Sequence, residues 1–236
     1  MKRNDSQAPR VDEGFTGAAF GFYKLFWIFI IGCVAGVIIE NLYCLVTANH
    51  FENRSGVLYG PFNPVYGFGA VLMTMCLSKL DTRKVLMVFV SSAVLGALFE
   101  FICSYWQETV LGTISWQYTN EALNLSGRTS LKYAFFWGVL GVVWIRNIAP
   151  FLSRQIDRIP KHIGMPLTWI LAIFMAFNMG ISSLAVWRQV RRHQGIAPQS
   201  AVECFLDEHY TDDVLKKVYP NMIIVGQGPE RKYDFD

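Results

Sequence analysis

The sequence predicts an all-α membrane protein, a bundle of about five transmembrane helices with a short amphipathic C-terminal tail. Three observations predict it. Charged residues make up only 17% of the 236 positions, below the roughly 25% usual in soluble domains. The mean hydropathy is +0.29 over the whole chain. The apolar residues also gather in runs of about twenty, the length that crosses about 30 Å of hydrocarbon.

The elements follow in order. Residues 1–21 are polar and mixed in charge, and are expected to be a disordered N-terminal tail. Residues 22–46 are almost wholly apolar. That run is too long for a signal-peptide core and has no clear small-residue cleavage site, so it is expected to be an uncleaved anchor. The second segment, residues 61–80, opens with Gly60-Pro61-Phe62-Asn63-Pro64. Its first turns are expected to be irregular, which a membrane tolerates only where protein or a cavity covers the freed backbone groups. Further spans are expected over residues 85–106, 131–152 and 165–187, so that a transmembrane domain occupies 22–188. The connection 108–130 is polar and unusually long. Residues 189–236 form the tail. Ser200-Ala201-Val202-Glu203 has the spacing of a capping box. Val214, Leu215 and Val218 predict a second short helix that stops at Pro220.

Basic residues set the orientation. Lys2, Arg3, Arg10 and Lys24, then Lys79, Arg83 and Lys84, then Arg146, Arg154, Arg158 and Lys161 fall on one side if there are five crossings. The other side holds Arg54, Arg128 and Lys132 in its connections. This contrast predicts a cytoplasmic N-terminus. Arg188, Arg191 and Arg192 flank the last span and leave the side of the tail open.

Two acids lie well inside apolar runs, Glu40 in the first span and Glu100 in the third. A charge in hydrocarbon costs about 2.5–3.5 kcal/mol on insertion scales, so such residues point to function by default. Each lies six residues before the outer end of its predicted span, which places them about 9 Å deep at 1.5 Å per residue. Asn63 and Tyr66 at the broken start of the second span share that side. So do Trp116, Asn124 and Arg128 of the long connection. Arg128 is the expected partner of the acids, because a guanidinium pairs carboxylates in a bidentate way. The expected substrate-binding set is therefore Glu40, Asn63, Tyr66, Glu100, Trp116, Asn124 and Arg128, around a polar pocket open to the outer side. The alternative is that the acids only lock helices together through hydrogen bonds.

The chain has no Walker A loop, no Gly-x-Ser-x-Gly and no His-Glu-x-x-His. Its cysteines, Cys33, Cys44, Cys76, Cys103 and Cys204, form no Cys-x-x-Cys pair. No catalytic residue, metal or cofactor is predicted. The net charge of +3 is too small to imply nucleic acid.

The runs from His50 to Arg54 and from Leu58 to Ala70, then Trp116-Gln117-Tyr118, Leu123 to Arg128 and Phe136-Trp137-Gly138, carry a resemblance. They resemble the ABC-transporter permease family of type IV (CmpB-like), bacterial multi-pass membrane proteins. The resemblance covers roughly residues 22–187. It implies a multi-pass protein of the plasma membrane, with Glu40, Pro61, Tyr66, Glu100, Asn124 and Arg128 as motif positions. The function it implies is a permease-like transport component. The expected partners are the lipid bilayer, a separate ATPase subunit and a homo- or hetero-oligomer. The alternatives are a scaffold or regulatory partner in an envelope complex, or a membrane enzyme acting on lipid.

Overall fold

The computed structural model describes residues 20–49 and 51–226. The N-terminal tail expected over 1–21 therefore lies outside the described residues, save Phe20 and Gly21. Helices α1 (Phe22–Ala48), α2 (Pro64–Leu77), α3 (Val85–Trp106), α4 (Leu131–Val143), α5 (Ala149–Asp157) and α6 (Lys161–His193) make the bundle. Helices α7 (Ala201–His209) and α8 (Asp212–Val218) follow it.

Apolar side chains cover both faces of these helices. On α1, Ile28, Cys33 and Val37 are buried, whereas Ile38, Ile39, Leu42 and Val46 are exposed. On α6, Ile170, Ile173 and Phe177 are exposed as well. A helix apolar all round suits a site where its outer face meets lipid. Four helical stretches are long and apolar enough to cross a membrane: Phe22–Thr47, Val85–Leu111, Leu131–Asp157 and Lys161–His193.

The expectation of five full-length spans is thus met by four, and the departure lies at α2. Its 14 residues reach only about 21 Å at 1.5 Å per residue. The cause is local. Pro64 sits at the first helical position, and Asn63 caps the helix through its side chain, accepting from the Val65 N–H at 3.2 Å. Gly60 has φ +77°, outside the helical region. The helix therefore cannot begin at residue 61.

Residues 51–63 instead fold back into the bundle without regular structure, and their backbone groups are met by neighbouring helices. The Asn63 N–H donates to the Cys33 carbonyl of α1 at 3.1 Å. The Leu58 N–H donates to Ser182 Oγ at 2.9 Å. The Tyr59 N–H donates to Asn178 Oδ1 at 3.1 Å, and Asn178 Nδ2 donates back to the Tyr59 carbonyl at 2.7 Å. Irregular backbone at membrane depth needs such partners.

Small residues let the helices approach. A side chain at Gly36 of α1 would run into the Tyr66 ring of α2, and one at Gly96 of α3 would run into Trp137 of α4. Gly67 faces Phe29 and Cys33 of α1, while Gly69 faces Phe99 and Trp137. The α3 and α4–α5 stretches are also reshaped. A π-helical turn at Trp144–Ile148 joins α4 to α5, where Pro150 lacks a backbone donor. A second π turn, Gln107–Leu111, extends α3 and stops at Gly112 with φ +69°.

Side-chain bonds fix which ends meet. Lys24 at the start of α1 donates to Ser153 at 2.8 Å and pairs with Asp157 at 2.9 Å. Trp27 Nε1 donates to Thr168 near the start of α6 at 3.0 Å. The connections 78–84 and 158–160 share that end. The opposite end carries the long connection and the tail.

The tail packs on the bundle. Leu206, Tyr210 and Leu215 are buried against Ala185, with Leu58 and Ile181 around them. The spacing predicted the caps correctly: Ser200 Oγ accepts from the Glu203 N–H at 3.2 Å. Charge holds the tail from below. Arg188 is 1% exposed and grips Asp207 with two bonds of 2.8 and 2.7 Å. Arg192 pairs with Asp207 and Asp212, each at 2.7 Å. Glu203 lies 3.3 Å from Arg188. The Arg188 hydrogen bonds hold the Asp207 carboxyl down at about 2. Past α8, strand β4 (Ile223–Ile224) pairs antiparallel with β1 (Thr113–Ile114) of the long connection.

Candidate functional site

The long connection is built as a plug. Strands β2 (Asn124–Leu125) and β3 (Thr129–Ser130) pair around a turn in which Ser126 and Gly127 have φ of 54° and 68°. Asn124 secures that turn: its Oδ1 accepts from the Gly127 N–H at 2.9 Å, and its Nδ2 donates to the Glu121 carbonyl at 2.9 Å. Trp116 Nε1 donates to the Arg128 carbonyl at 3.2 Å, tying the early part of the connection to its end.

Beneath this plug is a cavity of about 630 Å³, a size typical of small-molecule sites. Its walls come from the C-terminal half of α1, residues 53–57, the start of α2, the end of α3, the connection, Trp137 of α4, α6 from Met179 to Val186, and residues 219–222 of the tail. Glu40, Asn63, Tyr66, Glu100 and Trp116 all line it. Asn124 and Arg128 do not. Asn124 is occupied by the hairpin turn.

Arg128 departs from its expected partnership. It pairs with Glu108 at 2.5 Å and donates to Ser104 at 3.3 Å, rather than reaching Glu40 or Glu100. Phe101 and Tyr105 lie 5.8 and 5.4 Å from its guanidinium. The reason is proximity: Glu108 sits one turn beyond Ser104 on the continuation of α3, so the nearest acid takes the arginine.

The two spanning acids are served by hydroxyls. Tyr66 donates to Glu40 Oε1 at 2.6 Å. Tyr118 donates to Glu100 Oε1 at 2.8 Å, and Thr129 donates to Glu100 Oε2 at 2.9 Å. Glu100 is 8% exposed. The one basic residue in the cavity wall is Arg54, paired with Glu52 at 2.7 Å and bonded to the Cys44 sulfur at 2.9 Å.

Sequence reasoning missed several of these residues. Asn178, fully buried in mid-span, holds the broken segment in place. A lone polar residue inside an apolar run was the available signal, as it was for Glu40. Tyr118 lay in one of the resemblance runs without a role, and Thr129 had no signal, because only the folding of the connection brings them onto α3.

A family model described as "Putative ABC-transporter type IV" matches residues 27–183. The chain belongs to this family. Together with the four apolar helices, membership in the type IV ABC-transporter family marks the chain as a transport-related membrane protein. The match takes in Glu40, Asn63, Tyr66, Glu100 and the whole long connection, and stops before Arg188 and the clasped tail. No curated protein and no solved structure matches the chain.

Proposed function

We propose that this chain is a permease-like component of a plasma-membrane transporter. In this reading it receives a small solute from the outer side, in the cavity that holds Glu40 and Glu100. A separate ATPase subunit supplies the energy, since the chain has no Walker A loop of its own. One observation carries the reading. Two acids from different helices, a broken helix start and two aromatic residues of that end converge on one cavity of solute size. Family membership supports it.

The reading counts five crossings. Residues 51–63 and α2 together make the second, with the extended segment replacing the missing turns. Lys24, Lys79, Arg83, Lys84, Arg158 and Lys161 then face the cytoplasm, as the positive-inside rule favours. The cavity, the long connection and the tail face outward. The binding set is Glu40, Asn63, Tyr66, Glu100 and Trp116, with Asn124 and Arg128 shaping the plug above it.

The test is biochemical. The chain, tagged and extracted from its own membranes in mild detergent, is expected to bring down a nucleotide-hydrolysing subunit. Solute uptake by cells is expected to fall to the level of a deletion strain in Glu40→Gln. Undiminished uptake in that variant would remove the cavity from the transport path.

A further inference from the structure

We propose that the cavity takes an amphipathic organic cation, an alkylated ammonium group attached to an apolar body. This rests on the reading of the cavity as the solute site and names the solute's class.

The first ground is charge. Glu40 and Glu100 are the acids of the wall, and neither forms an ion pair with a protein cation; Arg54, in the same wall, acts on Glu40 only at longer range. Their hydrogen-bond partners are neutral: the hydroxyls of Tyr66, Tyr118 and Thr129, and the Trp137 indole at Glu100. Among the described residues, no donor is bonded to Glu40 Oε2. The arginines at this end are committed to other acids: Arg54 to Glu52, Arg128 to Glu108, Arg188 and Arg192 to Asp207. A carboxylate away from bulk water needs a counter-charge. Here the fold pairs neither acid directly, since Arg54 is taken by Glu52, so a bound cation completes the site.

The second ground is the rest of the wall. Phe99, Trp106, Trp116 and Trp137 line the same cavity as the acids. Aromatic faces attract cations, and desolvated ammonium groups most of all. Phe68, Ile102 and Met179 extend the apolar lining. A bare divalent ion would want six or more oxygens and would gain nothing from these rings. A free anion would meet two acids. An alkylated ammonium with an apolar body satisfies both kinds of wall, and a volume of about 630 Å³ accommodates it.

The experiment uses the full chain, purified and placed in nanodiscs. Trp106, Trp116 and Trp137 report on the cavity through their own fluorescence. The probes are benzyltrimethylammonium, its uncharged carbon isostere neopentylbenzene, and benzenesulfonate. Benzyltrimethylammonium is expected to quench saturably and to bind about ten-fold or more tighter than neopentylbenzene. Benzenesulfonate is expected not to compete. Glu40→Gln and Glu100→Gln are each expected to weaken the cation by about ten-fold and to leave neopentylbenzene unchanged. The melting temperature of each variant without probe separates lost binding from lost folding, and Glu40→Asp is expected to restore part of the affinity. Nanodiscs of phosphatidylglycerol and of phosphatidylcholine divide the sources of the group. Weaker probe binding in phosphatidylcholine points to a lipid headgroup, and equal binding to a free solute; both support the class. Equal affinity for cation and isostere, a preference for benzenesulfonate, or no saturable binding by any probe overturns it. Co-purification of an ATPase subunit would still stand in each of those cases, so the two readings fail separately.

Discussion

The acids of this chain live in two different surroundings. At the end of α6, Asp207 is gripped by Arg188 and shared with Arg192, and Glu203 and Asp212 complete a charged clasp. In the cavity, Glu40 and Glu100 are met by neutral donors, the hydroxyls of Tyr66, Tyr118 and Thr129 and the Trp137 indole. Apart from the exposed Asp212, both sets are partly or fully buried, yet they are built for different ends. Opposite charges in contact leave little reason to exchange partners, and so they fix geometry. An acid held by neutral donors is positioned and still has charge to offer. The clasp fastens a tail, while the cavity keeps its acids available.

Breaking the clasp is the harshest way to test this contrast. Arg188→Met removes both bonds to Asp207, leaving that acid to Arg192 and Glu203 to Arg191, and is expected to cost about 3 kcal/mol, near the lower bound for buried pairs. Limited proteolysis should then cut between α6 and α7, where the parent chain resists. Next comes crowding. Gly36→Val drives a branched side chain into the Tyr66 ring and is expected to cost roughly 1–3 kcal/mol. Thermal unfolding in detergent measures the loss, and it should be larger than that of Gly180→Val, where no atom lies nearby.

Changing a cavity acid should disturb the fold less. Glu100→Gln keeps an oxygen for one of Tyr118 and Thr129, and the other hydroxyl can turn to accept from the new amide N–H, so its cost is expected to stay at about 1 kcal/mol or below. A loss as large as that of Arg188→Met would make Glu100 a structural lock and erase the contrast. The smallest effect comes from pH. Asp207 sits at about 2, below its ordinary 3.8, so its contribution is complete above the ordinary value and fades as pH falls through about 2. Protease resistance of the tail should therefore be flat from neutral pH to about 5 and decline only in strong acid.

Much of this arrangement was legible in the residues. Long apolar runs gave α1 and α3 close to their observed limits, while α6 extends beyond the expected 165–187 at both ends, over Lys161–His193. Two acids in those runs pointed to the cavity, because depth follows from counting residues along a helix. Pro61, Pro64 and Gly60 announced a broken start, and the structure sharpens it to a helix that begins at Pro64. The length of α2 was overestimated because apolarity continues through residues that cannot be helical. Arg128 was given to the wrong acids for a related reason. Topology says which residues share a leaflet, but Glu108 won by lying on the same strand-and-helix corner. The clasp was hidden too. Its arginines were read as flanking charges, and only the fold of the tail turns Asp207 back toward them.

The β1–β4 pair has a consequence for how the molecule is made. Val225 N–H donates to the Gly112 carbonyl at 2.9 Å, and Asn221 donates to Glu52 at 3.2 Å, so late residues close a wall begun far earlier. The apolar helices all end by residue 193, whereas the residues that close this wall come later. A chain cut after α6 would therefore keep its apolar helices and leave the chamber without one side.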